Sequence, residues 1–188
     1  MNAIREKYLP LIKSSQTGLL LLTGLAGYLS SAHPVDWKDL ALLTISLFLA
    51  ISGSTVLNMW YDRDIDAKMK RTCNRPLSAG KLSPGGALRL GLLLSGHGIG
   101  FAFSLDPLYG LVVFAGLFFD MVIYTLWLKR RTCWSIIWGG LSGGMPVLAG
   151  RVLAVGEVDA IGILLAASIL FWIPTHIMTF SMRYRKDY

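Results

Sequence analysis

The sequence predicts an all-α fold, a polytopic transmembrane helix bundle of about six spans, and three observations carry that prediction. Of 188 residues, 54% are hydrophobic and only 15% charged, where soluble domains carry about 25% charge; the mean hydropathy is +0.55. Apolar runs recur at the length that crosses a bilayer, about 20 residues. The remaining charge is sorted along the chain: 15 of the 18 Lys and Arg fall in four groups, which come before the first span and after the second, fourth and sixth.

The first span is Tyr8 to Ala32, interrupted by Lys13. Its charged lead, Met1 to Lys7, runs into a long apolar stretch without a small-residue cleavage pattern, so it reads as a span rather than a removable signal. Lys13 either snorkels to the interface or reaches inward to a phosphate. The second span, Leu40 to Tyr61, has no charge over 22 residues. Pro84, a residue suited to the first helical position, opens the third, Pro84 to Leu105, in which His97 reads as a polar residue satisfied inside the bundle. The fourth, Pro107 to Leu128, contains Asp120, and an ionisable group at membrane depth is a functional candidate by default. Asp120, Tyr124 and the Lys129 end lie roughly on one side of that helix. The fifth, Thr132 to Val155, carries Arg151 and Gly139, Gly140, Gly143 and Gly144, small residues that let a neighbouring helix approach closely. In the sixth, Ala160 to Met182, Pro174 removes a backbone donor and is expected to kink the helix, widening a cavity beside His176.

The net charge of +7 raises nucleic acid as a partner, but its distribution points to topology instead. Six alternating crossings put Arg5, Lys7 and Lys13, then Arg63 to Lys81, Lys129 to Arg131 and Arg183 to Lys186 on one side. The positive-inside rule makes that side cytoplasmic. The expectation is a multi-pass protein of the cell inner membrane, its partner the lipid bilayer, with the N-terminus and active-site loops inside. Cys73 and Cys133 are far apart and have no ligating neighbours, so neither a disulfide nor a metal site is indicated.

Asn58 to Gly80, NMWYDRDIDAKMKRTCNRPLSAG, concentrates chemistry at the end of an uncharged span. Three carboxylates and six basic side chains lie between Asp62 and Lys81. If the helix continues, residues four apart drift only about 40°, so Asn58, Asp62 and Asp66 share a face while Asp64 points the other way. A rise of roughly 6 Å between Asp62 and Asp66 lets two carboxylates hold hydrated Mg²⁺, which keeps waters and takes its other ligands from substrate phosphates. Lys68, Lys70, Arg71, Arg75 and Lys81 suit those phosphates, the arginines by bidentate pairing. The stretch reads as a magnesium-diphosphate site at a membrane face.

This stretch resembles the signature of the UbiA-type intramembrane prenyltransferases, through Asn58, Asp62, Ile65, Asp66, Met69, Arg71, Thr72, Arg75 and Gly80. Within that superfamily YDRDID, RTCNRPLSAG, YTLWLKRRT, IIWGGLSGGMPVLAG and the Pro174-Thr175-His176 run are most similar to the branch that farnesylates protohaem IX. That branch usually has P-P-H-F-W in its sixth span where this chain has Pro174, Thr175, His176, Ile177 and Met178. The resemblance implies a bundle of about nine spans, so residues 1–188 read as a single prenyltransferase domain, incomplete at its C-terminus.

What the resemblance implies chemically is Mg²⁺-dependent transfer of farnesyl from farnesyl diphosphate to a vinyl group of haem B, with a link to haem assembly for terminal oxidases. Asp62 and Asp66 hold the metal, and Asn58 completes or orients its shell. Arg71, Arg75, Lys68, Lys13 and Lys129 grip the diphosphate. Tyr124, Phe171 and Trp172 offer π faces to the allylic cation; His176 meets haem, and Asp120 and Asp187 complete the pocket. Three other readings stay open: another acceptor (a quinone precursor, chlorophyll or a lipid), a cation carrier relaying ions over Asp62, Asp66 and Asp120, and an inactive fragment.

Overall fold

The computed structural model describes residues 11–183. Among them the chain is built from helices joined by turns, with no strand. In order they are α1 (Ser14–Leu29), α2 (Trp37–Asp66), α3 (Pro84–Leu105), α4 (Pro107–Phe118), a π-helical segment π1 (Phe119–Leu128) that continues α4, α5 (Ser135–Val155) and α6 (Ala160–Arg183). Five helices, counting α4 with π1 as one, are long and apolar enough to cross a membrane. The expected first span, which begins at Tyr8, is represented among the described residues by the 16-residue α1.

Local chemistry sets the ends. Asp36 accepts from the Lys38 and Asp39 backbone N–H groups at the start of α2, and Ser83 Oγ accepts from Gly86 N ahead of Pro84 at the start of α3. Asp106 does the same for Tyr109 N at 2.7 Å, with Pro107 at the first position of α4. Each satisfies a donor that a helix start leaves unpaired. The acidic residues of these connections are therefore caps. Pro174 lies inside α6, which stays helical from Ala160 to Arg183.

α2 lies along α3, and α5 packs between α1, α4 and α6. Lipid tails are as apolar as leucine, so close backbone approach and interhelical hydrogen bonds hold such a bundle together. Tyr109 of α4 and Ser46 of α2, both fully buried, join hydroxyls at 2.6 Å. Gly140, Gly143 and Gly144 face Leu170, Ile173 and Ala166 of α6, which gives the glycine-rich fifth span the packing role expected of it. α1 and α5 approach still more closely, at Gly24, Gly27 and Gly150.

At the end of the bundle away from the signature, Arg151 of α5 is buried and ties together the end of α1 and the start of α6. Its guanidinium donates to both Asp159 carboxylate oxygens and, at 2.6 Å, to the Ser30 carbonyl. The Asp159 carboxyl also caps α6 through Gly162 N at 2.8 Å. The Arg151 hydrogen bond, then that from Gly162, holds the Asp159 carboxyl below its ordinary value of 3.8. A carboxyl whose folded pKa is depressed stabilises above its unfolded pKa, and the benefit is lost as pH falls through the folded value. Asp159→Asn is therefore expected to unfold at lower temperature than the parent at pH 7, and the gap should close as the pH drops below 3.8. Thermal melts at the two ends of that range check it.

Candidate functional site

α2 outlasts its apolar run by a full turn, so the second span extends past Tyr61 and carries the acidic residues on helix to Asp66. Asp62 and Asp66 are 8% and 5% exposed, while the Asp64 side chain is 58% exposed. The fourfold spacing does what helical geometry requires: the first and third carboxylates turn inward and the second outward. Arg130 takes Asp64 outside, bidentately at 2.7 and 2.9 Å. Beyond Asp66 the chain leaves the helix and runs through turns to Lys81.

Each inward carboxylate meets a cation from a different element. Lys129, just past π1, donates to Asp62 Oδ2, and Arg75 of the turn segment donates to Asp66 Oδ2 at 2.6 Å. Thr72 is buried and ties that segment to the end of α2, donating to the Asp66 carbonyl at 2.9 Å. Burial acts to lower the Lys129 pKa, but the neighbouring Tyr124 and Asp62 outweigh it, so the ammonium stays above its ordinary value and charged.

The Asp62–Lys129 pair stands at one end of a cavity of about 400 Å³, within the range typical of small-molecule sites. Its walls are mostly apolar and come from α1, α2, α4 with π1, α5 and α6. Lys13, Asn58, Asp120, Tyr124, Lys129, Trp172 and His176 reach it. Lys13 does so from the left-handed region, at φ 41, a conformation uncommon outside glycine, asparagine and aspartate. The lining ends at Asn58; Asp62 and Asp66 continue that face one and two turns further along α2. Trp172 and His176 stack with ring centroids 4.8 Å apart.

π1 carries the opposite wall. Its Lys129 N to Tyr124 O bond of 2.8 Å spans five residues rather than four, the π-helical pattern often found at functional sites. Asp120 accepts from Ser54 Oγ and, at 2.8 Å, from Asn58 Nδ2. Thr125 donates to Asn58 Oδ1. Asn58, expected beside the metal, thus has both ends of its amide engaged by π1.

Several expected site residues lie elsewhere. Phe171 is 75% exposed on α6 and outside the cavity lining, because the helix turns it away as it turns Trp172 in. Lys68 is exposed in the turn after α2 and does not line the cavity. Arg71 is also exposed, its guanidinium 4.9 Å over the Phe180 ring of α6. Asp187 lies outside the described residues. His97 bonds the Leu93 carbonyl of its own helix at 2.7 Å and takes no part in the site. Ser54, Thr125 and Arg130 were not among the expected site residues. Ser54 had a usable signal, since it extends the ladder Asn58, Asp62, Asp66 one step back; Thr125 had none.

The donor set fits a hydrated divalent cation. Asp62 Oδ1 is buried without a hydrogen-bond partner among the described residues, with Arg130 Nη2 4.0 Å away. Among the described residues no cluster of three or more His, Cys, Asp or Glu gathers, so no all-protein cage forms, whereas magnesium needs only one or two carboxylates and takes the rest from water and phosphate.

Comparison with known proteins places this geometry. The UbiA prenyltransferase family matches residues 19–188. A protein named protoheme IX farnesyltransferase in Pyrobaculum neutrophilum is 44% identical over 182 residues, 96% of this chain and 66% of the relative. One of the same name in Archaeoglobus fulgidus is 47% identical over 176 residues, 94% and 62% of the two chains. The chain thus spans just under two thirds of the length of these curated relatives. Among solved structures, a UbiA homolog from Archaeoglobus fulgidus bound to DMAPP and Mg2+ has a TM-score of 0.79 at 19% identity, over 96% of this chain and 66% of that one. The apo structure of a UbiA homolog from Aeropyrum pernix K1 gives 0.77 at 24% identity, over 90% and 64%. With a family match across nearly the whole sequence and the fold of its solved members, this membrane protein belongs to the UbiA prenyltransferase family.

Proposed function

We propose that the chain carries the Mg²⁺-dependent transfer of farnesyl from farnesyl diphosphate to a vinyl group of haem B, at the membrane face bearing its basic groups, which we take as cytoplasmic. The observation that carries this reading is the Asp62–Lys129 pair, a buried carboxylate with an unpartnered oxygen against a cation that lines an apolar cavity. The names of the relatives support haem as acceptor.

In this reading Asp62 and Asp66 hold the metal, and Arg75 and Lys129 exchange part of their pairing to the carboxylates for contacts to phosphate oxygens, with Lys13 reaching in from α1. Magnesium bound there supplies Lewis-acid neutralisation of the departing diphosphate. The allylic C–O bond breaks with its electron pair leaving on oxygen. The apolar walls keep water from the cation, and the Tyr124 and Trp172 rings face it at a gain of about 0.5–2 kcal/mol each. The vinyl terminus then attacks, and water adds at the vinyl carbon next to the macrocycle with loss of a proton, giving a hydroxyethylfarnesyl group. His176, stacked on Trp172 in the cavity wall, faces the acceptor.

The test is product analysis of the purified chain in nanodiscs given farnesyl diphosphate, MgCl₂ and haem B. Farnesylated haem is expected, lost with EDTA and restored by excess Mg²⁺. Transfer to a quinone precursor but not to haem would move the acceptor, in keeping with the departures at Thr175, Ile177 and Met178; no consumption of any prenyl diphosphate would end the reading.

A further inference from the structure

We propose that Asp120 is a positioning residue that fixes which end of the Asn58 amide faces the metal. The inference rests on the prenyl-diphosphate reading of the site above. Asp120 Oδ2 is the acceptor, so the group that Asn58 turns toward Asp120 is its NH₂, at 2.8 Å. The Ser54 hydroxyl spends its proton on the same Asp120 oxygen. On the other side the Thr125 hydroxyl donates to Asn58 Oδ1.

The register of the two helices gives this orientation a direction. Ser54 meets Asp120, Asn58 meets both Asp120 and Thr125, and Asp62 meets Lys129. The contacts climb together, so Thr125 stands between the level of Asp120 and that of Lys129. The Asn58 oxygen is therefore held toward the Asp62 end and the amino group toward the deeper cavity. An amide oxygen ligates a hard cation and an amide NH₂ does not. The π geometry makes the clamp possible: residues five apart on an α-helix are about 140° apart around the axis, but in π1 Asp120 and Thr125 both reach one Asn58 side chain.

Asp120→Asn keeps the shape and lets the amide flip, because the new side chain both donates and accepts. In nanodiscs, with farnesyl diphosphate present and free Mn²⁺ counted by electron paramagnetic resonance, it is expected to weaken Mn²⁺ binding by about 10- to 100-fold, the usual effect of losing an outer-shell partner. Its unfolding temperature should stay close to that of the parent. In an Asn58→Ala background the same change is expected to cost no more than about twofold, since residues acting through one another do not add. An equal loss in both backgrounds, or no loss in the parent, overturns the proposal. Asp62→Ala separates this from the reading beneath it. If the parent binds Mn²⁺ with the diphosphate and Asp62→Ala does not, that reading stands whatever Asp120 does; if the folded parent binds none, both fall.

Discussion

Asp62→Ala and Asp66→Ala are each expected to lower prenyl transfer by at least about a thousandfold, the upper range for removing one preorganised electrostatic contact to a developing charge. The two carboxylates are buried on the same face of α2, and each is the counter-charge of a cation assigned to the diphosphate, Lys129 for Asp62 and Arg75 for Asp66. Removing either takes away a metal ligand and also releases its cation from a fixed place. Asp64→Ala is expected to change the rate by less than about fivefold, because an exposed ion pair such as Asp64–Arg130 contributes about 0–1 kcal/mol. Initial rates at saturating Mg²⁺ and farnesyl diphosphate decide the matter. Equal losses at all three positions would show that the facing of α2 does not organise the chemistry.

Gly150→Val is expected to prevent assembly of the bundle, with no monodisperse protein recovered from detergent. A Cβ at Gly150 lies 1.9 Å from the Gly24 carbonyl oxygen and 2.9 Å from Tyr28 N, and one at Gly27 lies 2.0 Å from the Val147 oxygen. These obstacles are backbone atoms of the facing helix, so no rotamer change relieves them and α1 must move off α5. Overpacking inside a core costs about 1–3 kcal/mol when side chains can yield; here the cost exceeds that range. Gly27→Val is expected to behave alike. Gly96→Ala is the control, having nothing within 4 Å of its added methyl, and should be neutral or stabilise by up to about 1 kcal/mol through chain entropy. Size-exclusion profiles and thermal melts of the three variants test the contrast.

α1 and α5 are also the place where the sequence is least explicit. Gly27 and Gly150 sit in stretches no richer in small residues than several others, and only the crossing of the two helices makes their missing side chains indispensable. The more obvious Gly139 to Gly144 run has milder approaches, mostly to side chains. Likewise Phe171 and Trp172 are adjacent aromatics of equal promise in one dimension; the rotation of α6 sends one outward and one to the cavity.

By itself the sequence determined the membrane class, the position of most helices and the identity of the buried carboxylates. Those properties follow from apolar run length, cap residues and a four-residue spacing, all of them short-range quantities written directly in residue order. Only the tertiary structure decided that Lys129 and Arg75 are the partners of Asp62 and Asp66, that Asn58 is clamped by Asp120 and Thr125, and that Lys68 and Phe171 stand aside. Those outcomes depend on how helices distant in sequence rotate and slide against one another, and on a π-helical segment whose extra residue per turn shifts every later side chain. Backbone packing at a few contact points sets that geometry, and no local pattern of residue types encodes it.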